Sequence, residues 1–167
     1  HEVTFSLLQV FGRPFYPFYK SDKLYWPVID YLSWIGELAL DLPRRRAATS
    51  LLQLLGVEGA EFNLLAMQIQ ADHQIRSSSD YQHLSEFMEE VFASFAANAP
   101  TQRHLVVKLH PLDNGLENWF RWGRRLASKY RIESRLHVIK GGDLDELLRQ
   151  SEGVGVVNYT VGIHALR

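Results

Sequence analysis

The stretch HLVVKLHPLDNG, residues 104–115, is apolar from Leu105 to Leu109 except for Lys108, and it stops at a histidine, a proline and a polar turn. An ammonium near the end of a strand and an imidazole at its stop can both meet an anion, most simply a phosphate. The plainer reading is that Pro111, which has no N–H for a ladder, ends a strand and leaves His110 on the surface. Two other stretches carry groups of similar use. QIQADHQIR, residues 68–76, holds Asp72 and Gln74, and NYTVG, residues 158–162, holds Asn158 and Thr160. A carboxylate, an imidazole, a lysine, a carboxamide and a hydroxyl could bind a phosphate and act beside it, provided that the fold gathers them.

The elements around these stretches predict that it does. LLAMQIQ, residues 64–70, reads as a strand, followed from Ser79 by a helix that buries Leu84, Phe87, Met88, Val91, Phe92 and Phe95 on one face. Pro100 closes that helix. LVVKL, residues 105–109, is a second strand, and after the turn Asp113, Asn114, Gly115 a helix carries Leu116, Trp119, Phe120, Leu126 and Tyr130. LHVI, residues 136–139, is a third strand. Asp143 and Glu146 are spaced to cap a helix through Leu144, Leu147 and Leu148, and GVGVV, residues 153–157, is a fourth strand. Strands alternating with helices predict an α/β class with a Rossmann-like, doubly wound parallel sheet. Ligands of such sheets bind beyond the carboxyl ends of the strands, where helix N-termini also point. The loops 70–76, 110–115 and 158–162 all fall at that edge, which favours the phosphate reading of His110 over the strand-stop reading.

Residues 1–60 differ in character: aromatic-rich and helical in pattern, with Leu24, Tyr25, Val28, Tyr31, Leu32 and Ile35 at spacings of three and four, punctuated by Pro14, Pro17 and Pro27. They are expected to be the end of an N-terminal domain or an interdomain helical segment. Residues 61–167 are expected to be the first part of a C-terminal nucleotide-binding domain. The chain opens without methionine and stops within a helical pattern, so it reads as a piece of something longer.

Composition narrows the function. The 167 residues are 46% hydrophobic and carry a net charge of −1, which gives a globular core and no general drive toward nucleic acid. The one basic run, Arg44 to Arg46, suits a solvated helix end. Without cysteine there is no disulfide or thiolate chemistry, and no stretch approaches the roughly 20 apolar residues of a membrane span. A place inside the cell is expected. GxxxxGK[ST], GxGxxG and GxSxG loops are absent, and the seven histidines fall in no metal-ligand pattern, so no metal is expected. Ser77 to Ser79 suits a loop and helix cap, and Trp119, Phe120 and Trp122 suit packing.

Taken together, QIQADHQIR (68–76), LVVKLHPLDNG (105–115) and GVGVVNYTVGIHAL (153–166) resemble the bacterial capsule polysaccharide biosynthesis and export family, which includes transferases of 3-deoxy-manno-octulosonic acid (Kdo). The resemblance implies a two-domain, GT-B type glycosyltransferase. The donor would be CMP-Kdo, with no obligatory cofactor or metal, and configuration would be retained. The acceptor would be a membrane phospholipid, a glycolipid or a growing Kdo chain. Other capsule assembly proteins are further expected partners, and the cytoplasmic enzyme would sit peripherally at the inner membrane. By position, His110 and Pro111 match the family's His-Pro donor-binding motif, Thr160 matches a hydroxyl of its helix-start motif, and Asp72 matches the acidic residue of the first motif. The implied roles are nucleophile for Asp72, phosphate stabilisation by a charged His110, and donor binding by Lys108, Pro111, Asn158 and Thr160. Tyr159 stands where the family has a small serine. The rival readings are another GT-B enzyme of nucleotide sugars, transferase or epimerase, and a non-catalytic capsule assembly module.

Overall fold

The computed structural model describes residues 27–70, 81 and 83–157. The first element, α1 (Pro27–Glu58), is a helix of 32 residues with Pro43 inside it. Proline at its first position is pre-set for helical φ and has no N–H to strand. Its far end closes on Gly59 at φ +61°, with the Gly59 N–H donating to Gly56 O and the Ala60 N–H to Leu55 O. That pair of bonds is the Schellman arrangement, and the left-handed residue it requires is the one that carries no Cβ.

Four strands follow, each parallel to its neighbours: β1 (Phe62–Ala66), β2 (His104–Lys108), β3 (Leu136–Ile139) and β4 (Gly153–Val156). Between them lie α2 (Leu84–Asn98), α3 (Trp119–Tyr130) and α4 (Leu144–Gln150). The order across the sheet is β3-β2-β1-β4. Going from β1 to β3 the chain steps one way, with α2 and α3 on one face. It then crosses back to β4 through α4 on the other face. Right-handed crossovers dictate this: reversing the direction of travel reverses the face on which the helix lies.

Both faces are therefore buried. Leu65, Leu105 and Val107 point into a core with Phe87, Met88, Phe92, Trp119 and Leu126. Phe62, Leu64, Val106 and Ile139 point into the other with Ala48 and Leu55 of α1 and Leu147 of α4. A strand covered on both sides needs a continuous apolar run, which is why β2 reads LVV without alternation.

The architecture matches the sequence expectation, with shifts at particular elements. β1 begins two residues before the predicted Leu64 and ends at Ala66, so Gln68 and Gln70 lie beyond it rather than in it. Leu116 precedes α3 instead of belonging to it. The predicted helix start at Ser79 lies outside the described residues, and α2 is described from Leu84. Asp143 caps α4 as expected, its Oδ1 accepting the Glu146 N–H at 2.9 Å. On α1 the apolar repeat is largely exposed: Leu32 is 64% and Ile35 67% accessible, with Ile29, Leu38 and Leu42 continuing the stripe. Among the described residues no helix is long and apolar enough to cross a membrane.

At the amino-terminal edge of the sheet, His104 Nδ1 and His137 Nε2 lie 2.9 Å apart. Their ring centroids are 5.1 Å apart with planes inclined by 22°. That separation is nearly the N–N distance plus two ring radii, so the rings meet edge to edge through a hydrogen bond rather than face to face. Burial, then the neighbouring His104, pushes His137 down to about 4.

Candidate functional site

The exits of β2, β1 and β4 are adjacent, because Ala66 pairs with Lys108 on one side and with Val156 on the other. The three loops singled out in the sequence leave from these exits. Of their residues, Lys108, His110 and Pro111 are described, while Asp72, Gln74, Asn158 and Thr160 lie outside the described residues.

Lys108 is the last residue of β2 and is 6% exposed. It follows Val106 by two positions and so shares the α1 and α4 face. No acceptor among the described residues hydrogen-bonds its ammonium; its electrostatic neighbours are Asp143 and Arg45. Burial pushes its pKa below the ordinary lysine value, Asp143 opposes the shift and Arg45 adds to it.

His110 begins a turn in which the Asp113 N–H donates to His110 O at 3.0 Å, with Pro111 at the position where a fixed φ is useful. The Leu112 N–H donates to His110 Nδ1 at 3.1 Å. An Nδ1 that accepts this bond suits the tautomer with its hydrogen on Nε2. Pro111 itself is exposed.

The rest of the turn is tied down from beneath. Asp113, 6% exposed, accepts the Gly115 N–H on Oδ1 and the indole N–H of buried Trp119 on Oδ2, both at 2.9 Å. Burial raises its pKa, and these hydrogen bonds together with Lys140 hold the rise back. Lys140, just past β3, donates to Asp113 O at 2.6 Å and to Glu37 Oε2 at 2.5 Å. Glu37 comes from α1 and also takes Arg44 Nη1 at 2.5 Å. Burial raises the Glu37 pKa, but the Arg44 and Lys140 hydrogen bonds outweigh it and hold the carboxyl below its usual range. Gly115, at φ +73°, lies so close to Glu37 that a Cβ there would sit 2.2 Å from Oε1. Sequence reasoning missed Glu37 and Lys140 as site supports. Lys140 gave one signal, being a second lysine at a strand exit, but an isolated glutamate among the apolar residues of α1 gave none.

Two glutamines of the first motif lie just beyond β1. Gln70 Oε1 accepts the Leu84 N–H at 2.8 Å and so caps α2. Gln68 Oε1 is buried and has no hydrogen-bond partner among the described residues. A cavity of about 590 Å³ lies elsewhere, at the amino-terminal end of the strands, among Asn63, Glu90, Arg103 and Gly153. Among the described residues no three His, Asp or Glu side chains gather where they could hold a metal ion.

The edge thus offers the ammonium of a largely buried lysine, an imidazole and a braced turn, a set suited to an anion. Comparison with known proteins places it in context. The chain is 28% identical over 167 residues to the capsule polysaccharide export protein KpsS of Escherichia coli, covering 99% of this chain and 43% of that relative. It is 27% identical over 107 residues to the capsule polysaccharide modification protein LipB of Neisseria meningitidis, from strains of serogroups A and B, covering 64% of this chain and 26% of each relative. The chain therefore spans less than half the length of these relatives. No solved structure matches it. The profile of the capsule polysaccharide biosynthesis proteins matches residues 1–167, and the chain belongs to that family.

Proposed function

We propose that this chain is the donor-binding part of a capsule glycosyltransferase of GT-B type that moves Kdo from CMP-Kdo to a membrane lipid or a Kdo-bearing acceptor with retention. The observation that carries the reading is the β2 exit, where Lys108, a buried residue whose ammonium has no hydrogen-bond acceptor among the described residues, precedes an imidazole whose Nδ1 accepts the Leu112 N–H. When the bond between the anomeric carbon and the CMP phosphate breaks, negative charge develops on the phosphate. Lys108 and the His110 Nε2–H would stabilise it, aided by Asn158 and Thr160. Asp72, on the loop leaving β1, would be the nucleophile. Its carboxylate attacks the anomeric carbon as CMP departs, and the acceptor hydroxyl then displaces the carboxylate, giving up its proton. No cofactor or metal enters this scheme. The enzyme would work at the cytoplasmic face of the inner membrane, alongside other capsule assembly proteins.

The test uses the full-length protein with CMP-Kdo and no acceptor. An ester of Kdo on Asp72, located by peptide mass mapping, supports the scheme. Asp72→Asn should abolish transfer while leaving CMP binding intact. An adduct on another carboxylate, or full activity of Asp72→Asn, overturns the nucleophile assignment. Preference for a UDP sugar over CMP in a binding titration would select another nucleotide-sugar enzyme, and no nucleotide binding would select an assembly module.

A further inference from the structure

Gln68 lies two residues past Ala66, the end of β1, which pairs with Lys108 of β2 on one side and with Val156 of β4 on the other. The last bond of the β1–β2 ladder is the Met67 N–H donating to Lys108 O at 2.9 Å. Gln68 therefore follows β1 between the exits of β2 and β4, beside the point where the strand order reverses. That reversal opens the crevice in which doubly wound sheets hold their ligands. At this position its Oε1 is buried without a hydrogen-bond partner among the described residues. A buried carboxamide oxygen left unpaired carries an uncompensated desolvation cost, so its retention calls for a reason. Two other unpaired buried atoms, Asn63 Oδ1 and Arg103 Nε, line the cavity at the opposite end of the strands. Gln70 supplies an internal control: the same side chain two residues on is satisfied by the Leu84 N–H.

We propose that the Gln68 carboxamide is a ligand-recognition group whose oxygen accepts a hydrogen bond from a hydroxyl of the bound nucleotide sugar. This assignment rests on the nucleotide-sugar reading above. It makes Gln68 a determinant of affinity and of sugar choice, while Gln70 belongs to the scaffold.

The experiment compares full-length wild type, Gln68→Met and Gln70→Met by thermal unfolding without ligand and by titration with CMP and with CMP-Kdo. Methionine keeps the length of glutamine and removes its polar atoms. Gln68→Met should melt at or above the wild-type temperature, because an unpaired acceptor has gone, whereas Gln70→Met should melt lower. Gln68→Met should also bind about tenfold more weakly, the scale of one lost hydrogen bond. Weakening toward both ligands places the hydroxyl on the ribose, and weakening toward CMP-Kdo alone places it on the sugar. Wild-type affinity of Gln68→Met for both ligands, or a loss of melting temperature equal to that of Gln70→Met, overturns the Gln68 assignment alone. A wild type that binds neither ligand overturns the nucleotide-sugar reading and this assignment with it.

Discussion

Lys140 Nζ lies 2.5 Å from Glu37 Oε2, joining the exit of β3 to the middle of α1 with both residues buried. This contact is the keystone under the His110 turn, because the same ammonium holds Asp113 O and the same glutamate packs against Gly115. Glu37→Gln should lower stability by about 3 kcal/mol, since it leaves a buried ammonium without its counter-charge. Lys140→Met combined with Glu37→Met should recover much of that loss, because the desolvation cost disappears with the pair. Denaturant midpoints of the single and double variants check this. The folded Glu37 pKa lies below its unfolded value, so its contribution is present above the ordinary carboxylate range. It is lost as pH falls through the folded pKa.

Gly115→Ala should be among the more damaging changes of one methyl group. The residue sits at φ +73°, and the new Cβ would meet Glu37 Oε1 and Cδ at 2.2 and 2.7 Å. Left-handed strain alone costs about 1–3 kcal/mol for a residue with a Cβ. Adding Glu37→Ala should relieve the collision and leave the strain. A double-mutant cycle in thermal unfolding should therefore show favourable coupling, and purely additive losses would mean that Glu37 does not touch Gly115 in solution.

The strand pattern, the alternation with helices and the helix cap at Asp143 were legible because each is written in short-range sequence. An unbroken LVV run needs two buried faces, and an aspartate three residues before a glutamate suits a first turn. The support of the site was not legible. Glu37 and Lys140 are far apart in the chain, and nothing local in IGELAL announces an acid turned toward a lysine beyond β3. The stripe Leu32, Ile35, Leu38 carries the spacing of a buried helix face yet is exposed in the described structure, since periodicity tells which residues share a face and not what covers it.

His110 separates into two functions. Its Nδ1 accepts the Leu112 N–H, and its Nε2–H is the group assigned to the phosphate. Asparagine can imitate the first nitrogen and glutamine the second. His110→Asn should keep the turn and lose CMP affinity by about 1.5–3 kcal/mol, the scale of a hydrogen bond to a charged group. His110→Gln should keep part of the affinity at some cost in stability. Equal CMP affinity for wild type and both variants would return His110 to the role of a strand stop.

The His104–His137 pair predicts a loss of stability in mild acid. His137 titrates at about 4 when folded against 6.5 when free, so the unfolded chain takes up the proton first. Stability from this ring is complete above about pH 6.5 and falls as pH drops toward 4. The exposure of the half-buried ring moderates the effect. His137→Val should flatten the denaturant midpoint across that window, and an unaltered slope would place the acid sensitivity elsewhere.

The strand order has a consequence for the order in which the chain folds. β1, β2 and β3 pair with their neighbours in sequence, but the second partner of β1 is the latest of the four described strands to be synthesised. A long loop must close before Asn63, Leu64, Leu65 and Ala66 gain their β4 partners. β4 is short and alternates glycine with valine, so it holds its place by few side-chain contacts. As the chain leaves the ribosome, the inner strand is open on one side until β4 arrives. An open strand edge can template pairing with another molecule. Amide exchange should then be slowest in β2 and fastest in β4, and crowded or hurried synthesis should yield aggregates joined along β1.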